Sequence, residues 1–578
     1  MISVITDGIS QFFAYKLELS ILFLTAWFSG IIVNKTGAFE VLKGAIKFTA
    51  ILCVGLLFLI GASFAIALLS PVSYNLYKTS CYLLPLAVLF TTTRGILNKK
   101  LNYWNLANIL LASFFLIFLL ITSLPFTKHI LLPGYADSPI HFQIVQQILD
   151  PQSGINSKLS ITHILKNYYH FGFHSLAAWL STTSNLPTSQ SISLIGQITL
   201  AISPLSIAFF VYSLTKSKEG ALSAGALTAF GWLMPAFAVN WGKFPALLAL
   251  SLAPSLIGFI IYTYTHRRNR TNAIWVLILT LCNVVIHTRI LALLILVTAA
   301  KYFVDALKIP NAPLGYIKSV SFSALFFISL LPLSNHIKIY FNNVILDIAL
   351  VLLLPFAFRY YPKYALVLFI FMAELWGIES IFTTIHSGNP IFDKQFTDIM
   401  LYIPFSVSGG LGIAGVLKEL QGKIHFLLLF TFFTLICFSS TWQVAKTPDT
   451  CCNYYTRSDE IAFDWIKNNT QKEDLFLISS LDDSQNHGTD AGVWIYTLTK
   501  RNTNKRTFNT NWELNEGFPN TCNSNLKNIY IYVGGQPYSF SNKKLAAIPW
   551  VEKVFEEENT IIFKVIKCAK SSNKEGID

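Results

Sequence analysis

Long apolar runs dominate the first three quarters of the chain. They lie near residues 18–33, 48–70, 79–93, 103–124, 191–215, 221–239, 244–264, 274–286, 288–302, 318–334, 343–358, 364–383, 401–416 and 424–441, divided by short polar connectors. Runs of this length without a two-residue alternation predict helices facing lipid. Several fall short of the roughly 20 residues that a perpendicular span needs, so the pattern predicts an α-helical polytopic membrane protein of about 12–14 transmembrane helices.

After Thr441 the pattern changes. Ser458–Asn469 opens on Ser-Asp-Glu and spaces Ile461, Trp465 and Ile466 as one helix face would. Leu475–Ser480, Asn528–Val533, Glu552–Phe555 and Ile561–Ile566 read as strands, the last two joined at Glu558-Asn559-Thr560 as a hairpin. The chain thus divides into N-terminal membrane helices (1–102), a membrane module (103–444) with a large loop at 125–190, and a soluble α/β domain (445–578) long enough for its own core.

Composition agrees. Of 578 residues 53% are hydrophobic and 13% charged, about half the charged share of soluble proteins, which excludes a soluble enzyme. Residues 1–444 carry 27 Lys and Arg against 13 Asp and Glu, and the tail 16 against 17. The basic excess therefore belongs to membrane connectors, and no basic stripe or zinc spacing makes nucleic acid a partner. With 274–302 counted as two passes, the basic connectors Lys35/Lys43/Lys47, Arg94/Lys99/Lys100, Lys216/Lys218, Arg267/Arg268/Arg270, Lys301/Lys308, Arg359/Lys363 and Lys418/Lys423 share one side. Positive residues stay cytoplasmic, which places the 125–190 loop, the tail and both chain ends outside. Residues 1–16 lack the pattern of a cleaved signal. Cys451, Cys452, Cys522 and Cys568 lie in the tail, where one or two disulfides or free thiols are expected and pairing of the neighbours Cys451 and Cys452 is disfavoured.

Thirteen acidic residues in the membrane part limit where acid–base chemistry can lie. Asp137 precedes an amphipathic stretch, Ser138-Pro-Ile-His141 onward, and Tyr168-Tyr169-His170-Phe171-Gly172-Phe173-His174 follows in the same loop. Taken alone, Asp137 is a helix cap and the histidines are interfacial side chains. One carboxylate, three histidines and paired tyrosines in one loop make a candidate site. Lys243 reads alone as a snorkelling residue. Arg289, beside His287 in an apolar run, needs an anion or a cavity. Glu374 and Glu379 are helix-end or cavity residues, and Asp393-Lys394 and Asp398 read best as a solvated turn, with approach to the acceptor or a cation as the alternative.

These residues, with Asp464-Trp465-Ile466-Lys-Asn-Asn-Thr470, Asp490-Ala-Gly-Val-Trp494, Trp241-Gly-Lys243-Phe-Pro245 and His287-Thr-Arg289, resemble the GT-C superfamily of integral-membrane glycosyltransferases, such as protein O-mannosyltransferases and the aminoarabinose transferase, over about 103–565. Two features depart from that pattern. Three spans precede the one at 103–124 that leads into the large loop, and the loop has Asp-x-x-x-His in place of an acidic pair. The resemblance implies an inverting transferase in the bacterial inner or plasma membrane that moves a sugar from a polyprenyl-phosphate donor to a lipid, glycan or protein acceptor on the outer face. It implies Asp137 as base and Lys243, Arg289, His141, His170 and His174 at the phosphate, with Tyr169, Glu374 and Asp393 lining a cavity. A divalent metal is an open option, and Asp490 and Trp494 are expected in the turn and core of the tail. The rival classes are a transporter or flippase, and a polymerase or ligase, of lipid-linked saccharides.

Overall fold

The computed structural model describes residues 2–97, 106–150, 170–266, 270–309, 312–340, 344–385, 391–420, 447–481, 488–512 and 528–566. Among these, seven helical stretches are long and apolar enough to cross a membrane: Lys16–Asn34, Gly44–Ala67, Ile109–Lys128, Thr188–Thr215, Phe244–His266, Tyr316–Ile337 and Lys394–Glu419. The protein is compatible with integral insertion on this ground. Five further helices, Tyr74–Leu97, Arg270–Ile286, Arg289–Ala306, Val344–Tyr360 and Pro362–Ile385, coincide with predicted apolar runs. The run at 424–441 lies outside the described residues.

One expected span is replaced by something else. The 221–239 run is a short helix, Lys218–Ala226, then a π-helical turn, Leu227–Gly231, and a 3-10 turn, Ala236–Val239, with a cis Met234–Pro235 peptide between them. Apolar composition marked burial there, and Pro235 cannot continue a helix. Two helices escaped the hydropathy pattern because they are only 13 residues long: Ile2–Ala14, and the buried Gly172–Ser184. Close packing elsewhere relies on small residues. A Cβ on Gly55 would lie 1.8 Å from the Ala26 carbonyl oxygen, so Gly44–Ala67 and Lys16–Asn34 meet backbone to backbone as small-residue membrane interfaces do.

The chain forms two compact units. The first comprises residues 1–128, 145–239 and 244–447, and the second 129–144, 240–243 and 448–578. The second is therefore built from the tail and two short segments that lie far from it in sequence.

In the second unit five strands, β1 (Leu475–Ser480), β2 (Asn502–Thr507), β3 (Ile529–Val533), β4 (Val551–Glu557) and β5 (Thr560–Val565), form one sheet in the order β2-β1-β3-β5-β4. β1 pairs in parallel with β2 and β3, and β5 pairs antiparallel with β3 and β4. β1 and β3 are buried on both faces, which explains their unbroken apolar sequences. Phe476, Ile478, Tyr530, Tyr532 and Ile562 face the Arg457–Asn469 helix and Trp494. Their alternates Leu477, Ile529, Ile531, Val533 and Phe563 pack on Trp512, Phe540 and Leu545. The helix opens on a capping box, Thr456 with Asp459, two residues before the expected Ser458. The Asp459 carboxylate also accepts from Thr560 Oγ1 at 2.7 Å and from the Tyr532 hydroxyl. β2, whose sequence is Asn-Thr-Asn-Lys-Arg-Thr, was not foreseen; as an edge strand it has little apolar surface to reveal it.

Candidate functional site

In the second unit, three backbone segments converge on Asp137. The residue ends the 134–137 turn, and its carbonyl accepts the first bonds of the Ser138–Leu149 helix, from Ile140 N at 3.1 Å and His141 N at 3.2 Å. Asp137 thus occupies the cap position foreseen for it. Its carboxylate Oδ2 lies 2.5 Å from Lys243 Nζ, the two side chains being 16% and 21% exposed. Both charges are partly dehydrated while remaining reachable from solvent.

Backbone geometry fixes the pair. Tyr135 has φ +67°, uncommon for a bulky residue, and its N–H donates to Cys452 O at 2.8 Å. Its ring lies 6.0 Å from that of Tyr454. Gly242 has φ +60°, and a Cβ there would stand 2.6 Å from Ser138 Oγ, so only glycine turns the chain to present Lys243. Asn240 Oδ1 accepts from Asp449 N at 2.8 Å, tying the 240–243 segment to the tail. Cys451 and Cys452 form a disulfide with each other, which corrects the expectation against that pairing. Cys522 and Cys568 lie outside the described residues.

His141 is buried, and its Nε2 lies 3.0 Å from Gly242 O. A carbonyl only accepts, so Nε2 carries the proton and the imidazole is the neutral Nε2–H tautomer. Burial pushes its pKa down to about 4; nearby Lys243 adds to this, while Asp137 and the bond to Gly242 oppose it. A neutral ring tied to the backbone orients the Lys243 segment. The folded pKa lies below the unfolded value of 6.5, so the unfolded chain takes up the proton first. Stability is therefore expected to fall as pH drops from 6.5 toward 4, by roughly 3 kcal/mol in total. Unfolding of the full chain in lipid nanodiscs across that window reads the slope. His141→Gln, which keeps an N–H for Gly242 and does not titrate, should flatten it.

The first unit brings together a different set. Arg289 Nη1 meets Asp393 Oδ2 at 2.5 Å, and Asp393 caps the Lys394–Met400 helix through Phe396 N at 2.8 Å. The His170 and His287 ring centroids lie 4.2 Å apart with the planes tilted by 35°, and His287 lies 5.2 Å from the Phe396 ring. Asp398 is no solvated turn: it is 8% exposed, with His336 Nδ1 at 2.6 Å from its carboxylate and the Tyr340 hydroxyl donating to its carbonyl. His336 and Tyr340 were missed; a histidine closing an apolar run was the available signal. His174 is wholly buried between the rings of Phe171 and Phe173. Glu374 Oε2 is buried with no hydrogen-bond partner among the described residues. Tyr169 and the Glu379 side chain lie outside them.

Among the described residues no three His, Cys, Asp or Glu side chains are grouped to hold a metal ion. At Asp137 the Lys243 ammonium already occupies one carboxylate oxygen, an arrangement that does not fit a bound cation. In the tail, Asp490 is buried and bonded to Ser479, Ser539, Gly492 and Gly534, and Trp494 is buried in the core.

No curated protein matches the chain. Residues 48–313 match the model of a family of unknown function (DUF6541), a stretch that includes Asp137, His141, Lys243 and Arg289 and ends before Asp393.

Proposed function

We propose that the protein is an integral-membrane glycosyltransferase that moves a sugar from a polyprenyl-phosphate donor to a lipid, glycan or protein acceptor on the outer face of a bacterial plasma membrane. The observation that carries this reading is the Asp137–Lys243 pair, a carboxylate and an ammonium 2.5 Å apart, still open to solvent and held by backbone that adopts left-handed conformations at Tyr135 and Gly242. Glycosyl transfer from a lipid phosphate needs two such groups. A base accepts the acceptor hydroxyl's proton as its oxygen attacks the anomeric carbon, and a cation offsets the charge gathering on the phosphate as the carbon–oxygen bond breaks. A donor phosphate competes for Lys243, which releases Asp137 to act as base only when donor is bound. His141 serves as a positioning residue for Lys243. Arg289 gives Nη1 to Asp393 and has further N–H donors with which to meet a phosphate.

The test is transfer of labelled sugar from polyprenyl-phosphate donors in membranes carrying the wild type, Lys243→Ala or Lys243→Arg. Loss of about tenfold or more with Ala and partial recovery with Arg is expected, since Arg restores the charge with a different geometry. Equal transfer in all three overturns the role of Lys243. A transporter is the second reading, favoured by the buried His336–Asp398 pair in the membrane-embedded unit. Movement of an intact lipid-linked saccharide across vesicles without transfer would select it.

A further inference from the structure

Beyond the Asp137 cluster, the second unit carries an open cleft of about 550 Å³. It lies outside the carboxyl ends of β2 and β3, where sheets with parallel strands place their ligand crevices. Val533, Phe540 and Ile561 give it a buried apolar floor. Its walls are rich in amides: Asn509 just after β2, Gln536 after β3, Asn542 in the following short helix and Asn559 in the β4–β5 turn. Among the described residues no partner engages the side-chain amides of Asn509, Asn542 or Asn559, whereas Gln536 Nε2 donates to Asn453 O at 3.0 Å and anchors its loop.

Two backbone features shape the wall. Glu558 has φ +46°, a left-handed conformation in which a glutamate is uncommon, and it sets the turn that carries Asn559. A Cβ on Gly535 would lie 3.0 Å from Asn559 Cβ, so the absence of a side chain there lets loop and turn close on each other. Backbone strain of this kind collects at ligand clamps.

We infer that this cleft binds a saccharide of one or two rings. An amide presents a donor and an acceptor side by side, which matches hydroxyls that act as both. The half-buried Phe508 ring, set edge to face against Tyr538 at 5.4 Å, supplies an apolar surface for the C–H face of a pyranose. Charge argues against phosphate or nucleotide. The lining has two carboxylates, Glu556 and Glu558, to one ammonium, Lys544, and Glu556 is already paired with Lys553. The volume falls within the range of small-ligand sites.

Saturation-transfer NMR on the purified full chain in lipid nanodiscs tests this, with maltose, mannobiose and N,N′-diacetylchitobiose as probes and inorganic phosphate and AMP as anionic controls. At least one disaccharide is expected to receive saturation at its ring protons. Asn509→Ala and Asn559→Ala, both at exposed positions, should each weaken it about three- to tenfold, with hydrogen exchange of β1 and β3 unchanged. Asp137→Asn should leave binding intact, so the cleft and the transferase reading can fail separately. Absence of disaccharide binding at about 10 mM, binding that survives both asparagine substitutions, or binding of phosphate or AMP in place of sugar each overturns the assignment.

Discussion

Asp137→Asn is expected to fold like the wild type and to lose about 10²- to 10⁴-fold of sugar transfer, the range over which a positioned general base contributes. The amide keeps the carboxyl's shape and can still accept from Lys243, while its oxygen is too weak a base to take a proton at neutral pH. Because both side chains of the Asp137–Lys243 pair are mostly covered, leaving the ammonium without its counter-ion should cost about 1–3 kcal/mol of stability, so detergent gel filtration is needed to separate lost chemistry from lost fold. Asp137→Glu keeps the base and displaces it by one methylene; intermediate activity is expected. In the double variant with Lys243→Gln the two losses should not add, since both side chains act in one step. Transfer at the wild-type rate in Asp137→Asn would remove the base from the mechanism.

The second large effect belongs to stability. Asp490→Ala should destabilise the tail by about 4 kcal/mol, read as faster hydrogen exchange across β1 and β3 in the full chain. The carboxylate is buried and accepts from Ser479 Oγ at 2.8 Å, Ser539 Oγ at 2.6 Å, Gly534 N at 3.2 Å and Gly492 N at 2.9 Å. Alanine removes the shared acceptor: Gly534 N keeps Ser539 Oγ at 2.9 Å and Ser539 is only half-buried, but Ser479 Oγ and Gly492 N lose their buried carboxylate partner. Asn can place its oxygen where Oδ2 sits and keep three of the four, so Asp490→Asn should cost less than half as much. Burial raises the Asp490 pKa above its usual value, so the folded form holds this proton more tightly than the unfolded chain. Its contribution is greatest below the ordinary carboxylate range and declines as pH rises, opposite in sign to that of His141. Asp490→Asn should abolish that decline.

How much was legible depended on whether a signal was local. Leu475–Ser480 and Ile529–Val533 were readable as strands because central strands advertise burial through consecutive apolar residues. Asn502–Thr507 advertises nothing, since its neighbour β1 supplies the apolar contact. Asp137 was singled out by its helix, yet its pairing with Lys243 joins residues 106 apart in sequence; only the candidate charges, and not their meeting, could be read. Asp398 looked solvated because polar residues surround it in sequence, whereas in space it faces His336 and Tyr340. Hydropathy marked the 221–239 segment as a span without revealing that its backbone breaks into a short α-helix, a π-helical turn and a 3-10 turn.

The makeup of the second unit also sets a timetable for synthesis. Gln143 Nε2 bonds Thr497 Oγ1 across 354 residues, and Tyr135 waits for Cys452. As the chain leaves the ribosome, Asp137 and Lys243 emerge early, but the turn that orients them has no partner until the tail follows. The candidate site is thus among the last parts to assemble. A chain truncated before residue 448 would keep both residues of the charged pair and lose the Cys452 and Asp449 contacts that hold their two segments, and a fragment beginning there would lack the pair itself.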